Sequence, residues 1–324
     1  MGNRNLTSVD LFKFIAAILV IAIHCHPLND YPAADYYSIS LISRIAVPFF
    51  FVFSSYMFFL KDRPISVFIK RILILYCVWF VIELPFVYYR FFLGNTIVDG
   101  LLGLTKAFFL SSTFYASWYL TATWIGMLVV YLLAKYTNKY LLYLVGIGCA
   151  FLSVSNSMYA NISSGQGWQN FIGVTTWLMA SNSFIAAIPY CILGRIIATN
   201  KSAFRLNKPW LLLPLMMLAV VEVYFCRSYY NVTDSYYMLY PLSIVLTVIL
   251  ISHNVPIGEN TSRMLRNMSI LVYLIHPIII HILMFFKIQE AGMLLYVITL
   301  PTTLVLSYLI VVMSKKFPIL KYLY

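Results

Sequence analysis

Five histidines occur in 324 residues, and two of them, His24 and His26, stand at the far end of one apolar run, "LFKFIAAILVIAIHCHPL". An imidazole titrates near neutral pH, so it can take a proton from a hydroxyl or return one. Other ionisable groups lie in or at the ends of similar runs. They are Asp10 and Lys13 with the first run, Arg44 in "SRIAVPFFF", Glu83 in "FVIELPF", Glu222 in "AVVEVYF", and His276 and His281 in "SILVYLIHPIIIHIL". Charged groups surrounded by lipid are costly, so each of these is expected to face a cavity or a partner.

Helical spacing sorts them. Lys13 and His24 are 11 residues apart, close to three full turns, and share a face. His24 and His26 point about 200° apart, so only one can serve a given pocket, and His24 is the candidate. His26, followed by Pro27, reads as a residue of the water interface. Arg44 and Ser55 share a stripe by the same 11-residue spacing, and Ser269, Tyr273 and His276 form one polar stripe at i, i+4 and i+7. His24 lies 14 residues beyond Asp10, about 21 Å along a helix axis. Arg44, Glu83 and Glu222 fall at a similar depth on three other helices. Plainer readings stand beside these: an interfacial pair of Asp10 with Lys13, a structural pair of Glu222 with Arg227, and Lys70 and Arg71 as anchors at the membrane surface.

The elements that must position these groups follow from composition. The chain is 62% hydrophobic and 10% charged, too few charges to coat a water-facing surface. Apolar runs of about 20 residues recur along it. They predict an all-α polytopic membrane protein of about ten spans, roughly 11–27, 39–60, 66–89, 115–134, 140–156, 181–199, 209–226, 236–252, 268–287 and 292–313. The first run is read as a span and not as a cleaved leader, and the chain as a single transmembrane domain over 1–324 with no soluble domain. With the N-terminus in the cytoplasm, 17 of the 22 Lys and Arg fall on inside segments, among them Arg4, Lys13, Lys70 and Arg71. Both termini are then cytoplasmic, and the uncharged loop 157–180 is outside. The net charge of +12 is therefore a topology signal at an anionic plasma membrane, and no nucleic-acid partner is expected. The five cysteines lie in apolar runs without metal-ligand spacing, so no metal is expected. A short interfacial helix is expected between spans 3 and 4.

The ordered motifs resemble the acyltransferase 3 family of integral membrane acyltransferases. "VDLFKFIAAILVIAIHCHP" is similar to that family's first helix, "SRIAVPFFFVFSSYMFF" to its second, "FIKRILILY" to the start of its third, "SWYL" to its Trp-Tyr-Leu element, and "SILVYLIHP" to its late Ser-x-x-x-Tyr-Leu-x-His helix. Ser55 stands where the family pattern has glycine. Within the family, "RIAVPFFF" and "FPILKYLY" resemble the membrane module of the vancomycin-resistance serine racemases.

The family resemblance implies transfer of an acyl group, usually acetyl, from cytoplasmic acyl-CoA to a hydroxyl of a cell-envelope acceptor, a glycan or an amino acid. Under it His24 is the base or a transient acyl carrier, and Arg44 stabilises the oxyanion or holds the acceptor. Asp10, Lys13, Lys70 and Arg71 serve the donor. Glu83, Glu222, Ser55, Trp118, Tyr119, Ser269, Tyr273 and His276 line the acceptor side or the cavity. The narrower resemblance implies a rival: an L-serine binding and uptake module without acyl transfer, with Arg44 on the carboxylate and Glu83 or Glu222 on the ammonium. A cytoplasmic racemase domain, which follows such an ending in those proteins, or a second copy of the chain is the partner it suggests. A third reading, a sensor or scaffold without activity, draws only on Ser55.

Overall fold

The computed structural model describes residues 6–114, 117–176, 180–227, 234–288 and 291–324. Arg4 and residues 115–116, where the fourth span is expected to begin, lie outside them. The described residues form α-helices and short 3₁₀ turns and no strand. In order the helices are α1 (Thr7–Cys25), α2 (Pro32–Leu41), α3 (Ala46–Lys61), α4 (Ile65–Ile82), α5 (Leu84–Phe91), α6 (Ile97–Leu110), α7 (Trp118–Tyr136), α8 (Lys139–Ser155), α9 (Gln166–Thr175), α10 (Phe184–Thr199), α11 (Leu212–Cys226), α12 (Leu239–Ser252), α13 (Glu259–Phe285) and α14 (Met293–Met313). Seven segments are long and apolar enough to cross a membrane: α1, the α2–α3 unit Pro32–Lys61, α4, α7, the segment Pro209–Cys226, α13 and α14. Three shorter apolar helices, α8, α10 and α12, coincide with the other expected spans.

Two expected spans are broken, each just ahead of a proline. The span 39–60 is interrupted by a 3₁₀ turn, Ser43–Ile45, before α3 continues. Pro48 offers no N–H to the Arg44 carbonyl four residues back, so a regular helix cannot run through this point intact. Arg44 thus sits on a turn. The span 66–89 breaks at Glu83, between α4 and α5, because Pro85 withholds its N–H from Val81 in the same way. The ninth span begins nine residues earlier than expected, at Glu259, so that α13 includes Arg263 and Arg266. The interval between spans 3 and 4 contains α6, and the uncharged loop contains α9.

Burial separates inner from outer helices. The α2–α3 unit and α13 are each 61% buried over their most apolar windows, whereas α4 is 11% buried. α3 packs most extensively on α10, and α1 on α13. The α3–α10 contact is very close at Gly194, where an added Cβ would overlap the Val52 carbonyl and crowd Ser55 and the Tyr56 nitrogen. Small residues that let backbones approach are the usual means of packing helices in lipid. The Ser55 hydroxyl, fully buried, donates to the Cys191 carbonyl across this contact at 2.5 Å.

Candidate functional site

α1 and α13 bring two histidines together. The rings of His24 and His276 are stacked with centroids 5.3 Å apart and planes 28° from parallel. His276 is fully buried. Its Nδ1 lies 3.0 Å from the Val272 carbonyl, which can only accept, so Nδ1 carries the proton in the neutral ring. The lone pair is then on Nε2, which is buried without a hydrogen-bond partner among the described residues. A buried imidazole with a free basic nitrogen beside a second imidazole is suited to proton transfer.

The polar stripe of α13 continues from there. Tyr273 stands edge-on to His276 at 6.0 Å and to Tyr119 at 5.4 Å. The Tyr119 hydroxyl is 3.5 Å from Ser54 Oγ. Ser269, lowest on the stripe, is buried and donates to its own helix at the Arg266 carbonyl. Trp118 and Tyr119 open α7 and both pack on Phe51 of α3.

Arg44 lies close enough to His24 for its charge to act on that ring. Its guanidinium pairs with Asp234 at 2.5 Å, and both side chains are more than four-fifths buried. Asp234 is the partner that sequence reading missed. The available signal was an acidic residue ahead of span 8, at the depth of Arg44. A cavity of about 30 Å³ adjoins the pair, lined among others by Ile23, Phe51, Trp118, Tyr190 and Ser235.

At the N-terminal end of α1 Asp10 is buried. It accepts from Ser262 Oγ at 2.7 Å and lies 3.7 Å from Arg266 Nε. The carboxylate therefore ties α1 to α13, and an interfacial ion pair with Lys13 is not formed among the described residues. The Lys13 ammonium lies instead over the Phe53 ring, 4.3 Å from its centre. Asp10, Arg266, Arg71 and Lys61 are near enough for their charges to act on it. Lys70, one residue from Arg71, turns the other way and lines an apolar groove with Ile69, Leu73 and Cys77.

Three expected members stand apart. Glu222 accepts from the Tyr237 and Met238 amides at 2.7 and 2.8 Å, ahead of α12, and from the Tyr159 hydroxyl at 2.9 Å. A carboxylate on these amides at the start of a helix is electrostatically favoured. Arg227 lies over the Tyr224 ring and does not pair with Glu222. Burial, with Glu222 adding to it, pushes the Tyr159 phenol well above its usual range, so it remains a donor. Glu83 is 2% exposed at the α4–α5 break, and its Oε2 has no partner among the described residues. Ser55 is committed to Cys191. His26 is held by Asp35 at 2.7 Å in a left-handed turn, φ 50°. His281 packs against Phe86 and Phe114, with Nδ1 2.8 Å from the Pro277 carbonyl.

The fold and this site define a multi-pass, all-helical membrane protein with a histidine-arginine cluster inside its helix bundle. An acyltransferase-domain family model matches residues 6–312, and the chain belongs to that acyltransferase 3 family. It is also similar to curated racemases. One is an amino-acid racemase of Enterococcus faecalis, 25% identical over 98% of this chain and 48% of the relative. Another is a serine/alanine racemase of Enterococcus gallinarum, 27% identical over 86% of this chain and 41% of the relative. The chain spans about half or less of the length of these relatives. No solved structure matches.

Proposed function

We propose that the protein is a plasma-membrane acyltransferase moving an acyl group, acetyl in the simplest case, from cytoplasmic acyl-CoA to a hydroxyl of an envelope acceptor. What carries this reading is the His24–His276 stack beside Arg44, on the α1 face whose inner end holds Lys13. The chain crosses the membrane ten times with both termini cytoplasmic. Arg71 and Lys13, with Asp10 positioning that end of α1, receive the CoA phosphates, and Lys70 contributes from the surface. The thioester then extends toward His24, 11 residues or about 16 Å farther out.

The acceptor hydroxyl gives its proton to an imidazole as its oxygen attacks the thioester carbonyl, and Arg44 holds the negative oxygen that forms. The carbon–sulfur bond then breaks, and the CoA thiolate takes up the proton. His24 serves either as this base or as a transient acyl carrier, with His276 passing the proton. Tyr273, Ser269, Trp118 and Tyr119 wall the path.

A second reading is favoured by the racemase relatives that match nearly the whole chain: L-serine is bound and carried without acyl transfer. Thermal-shift titrations of wild type and Arg71→Ala with acetyl-CoA, CoA and L-serine separate the two. A ligand that binds only the folded state at 100 times its Kd stabilises by about 2.7 kcal/mol. Stabilisation by acetyl-CoA that weakens in Arg71→Ala is the expected result. Stabilisation by L-serine alone would replace transfer with uptake.

A further inference from the structure

The stretch "FPILKYLY", residues 317–324, folds back on the bundle after α14. The Phe317 amide donates to the Met313 carbonyl, and the chain then winds into a 3₁₀ turn, Pro318–Leu323. Two side-chain hydrogen bonds hook it in place. The Trp79 indole of α4 donates to the Leu323 carbonyl at 3.1 Å. The Tyr324 hydroxyl is 2.6 Å from Ser314 Oγ, just beyond α14. Ser314 gives its own proton to the Val311 carbonyl, so Tyr324 is the donor. Leu323 and Tyr324 pack on the apolar cluster that holds Tyr76 and Trp79 of α4, Leu120 of α7, Leu271, Tyr273 and Leu274 of α13, and Val311 of α14. The segment closes a seam. Apart from the adjoining α5, α4 packs on α7 and on this segment, and α14 packs on α13, α1 and this segment. Among the described residues α4 and α14 have no extensive contact of their own. Trp79, Leu271 and Leu274 are buried, whereas Ile319 and Tyr322 of the segment are exposed. A segment held on one side by few bonds opens at low cost.

We infer that residues 317–324 are a latch on a side opening between α4 and α14, and that the latch sets the length of acyl chain the donor can carry. Leu323 and Tyr324 fill a slot walled by hydrocarbon and aromatic rings, so what can replace them there is hydrocarbon. The slot connects with the histidine pair. Tyr273, edge-on to His276, belongs to the same apolar cluster as Leu120, Leu274 and Trp79, so continuous apolar packing runs from His276 to the seam. A short acyl group on a thioester at His24 and His276 ends inside the bundle. A long chain needs room beyond it, and this packing leads to the seam, where the chain displaces Leu323 and breaks the bond to Trp79. Short chains are favoured by the cost of that opening. The inference rests on the acyl-transfer reading and adds chain length to it, with Trp79, Leu323 and Tyr324 as the residues that set it.

The test uses the full chain in nanodiscs and compares its affinity for CoA, acetyl-CoA and octanoyl-CoA. Wild type is expected to bind octanoyl-CoA about tenfold or more weakly than acetyl-CoA, since an apolar site discriminates even one methylene by about that factor. Trp79→Phe keeps a ring and loses the bond to Leu323, and Leu323→Ala empties part of the slot. Each should narrow the preference for acetyl-CoA and leave CoA affinity unchanged. A second readout needs no donor. Leu274→Cys should react with a membrane-soluble maleimide, mapped by mass spectrometry, faster when Trp79→Phe is also present. Tyr324→Phe, which loses only the bond to Ser314, takes the place of Trp79→Phe should that variant fail to fold. Equal labelling rates with and without the latch bond would overturn the latch. Octanoyl-CoA bound as tightly as acetyl-CoA by wild type, or a preference that no variant moves, would overturn the length filter and leave acyl transfer intact. Failure of every CoA species to bind, with labelling still accelerated, would remove acyl transfer and keep the latch.

Discussion

His26 shows how close a bystander can stand to a reaction centre. It is two residues from His24, yet it sits in a left-handed turn at φ 50° with its ring held by Asp35 at 2.7 Å. His24→Ala and Arg44→Ala are expected to lower turnover by roughly a hundredfold or more while the protein still inserts, as loss of a proton acceptor or an oxyanion partner implies. His26→Ala should retain turnover and lower stability by about 1 kcal/mol, because a non-glycine residue is held in a left-handed turn without its partner. Steady-state kinetics and melting curves on the three variants check this, and normal turnover by either of the first two removes the site assignment. Glu222 is the opposite case: an intramembrane acid whose acceptor oxygens are already taken by two amides and a phenol. Glu222→Ala leaves those donors unpaired, and a loss of about 2 kcal/mol or more in folding stability is expected, with KM unchanged in the folded fraction. A raised KM at normal stability would return Glu222 to the site.

At the scale of elements, the α3–α10 contact and the two proline-linked breaks set the geometry. Gly194 admits the α3 backbone where a side chain would collide with it. Gly194→Ala should therefore cost about 1–3 kcal/mol through overpacking. Ser55→Gly loses one hydroxyl bond to Cys191, worth about 0.6 kcal/mol between membrane helices, and should keep turnover. Denaturant titration in micelles ranks the pair, and an equal loss in both would mean that the close approach is relaxed. The break ahead of Pro48 places Arg44 on a turn, where its side chain reaches inward to Asp234 and toward His24. A continuous helix would have kept it on a regular stripe with Ser55, and the two residues in fact have separate partners.

At the scale of the whole molecule, two charged levels are joined by one pair of helices. α1 and α13 carry Asp10, Lys13, Ser262 and Arg266 at one level and His24 and His276 at the other. The proposed direction of transfer depends on which level faces the cytoplasm. A membrane-impermeant maleimide should label Ser164→Cys in intact cells and Ser202→Cys only after permeabilisation, as the distribution of basic residues requires. The reverse pattern would place the CoA-binding end outside and sink the donor assignment.

Composition and periodicity were enough to establish a helical membrane protein and the positions of its apolar segments, because these depend on residues close together in the chain. The α13 stripe was legible for the same reason. The meeting of His24 with His276 joins residues 252 positions apart, and the Arg44–Asp234 pair joins residues 190 apart, so no local period could reveal either. Glu222 read as a cavity residue or as the partner of Arg227 because its actual partners are backbone amides and a distant phenol, which leave no mark in side-chain patterning. Lys70 and Arg71 read as one basic pair, but adjacent positions on a helix point about 100° apart, and Lys70 lines an apolar groove while the charge of Arg71 acts on Lys13.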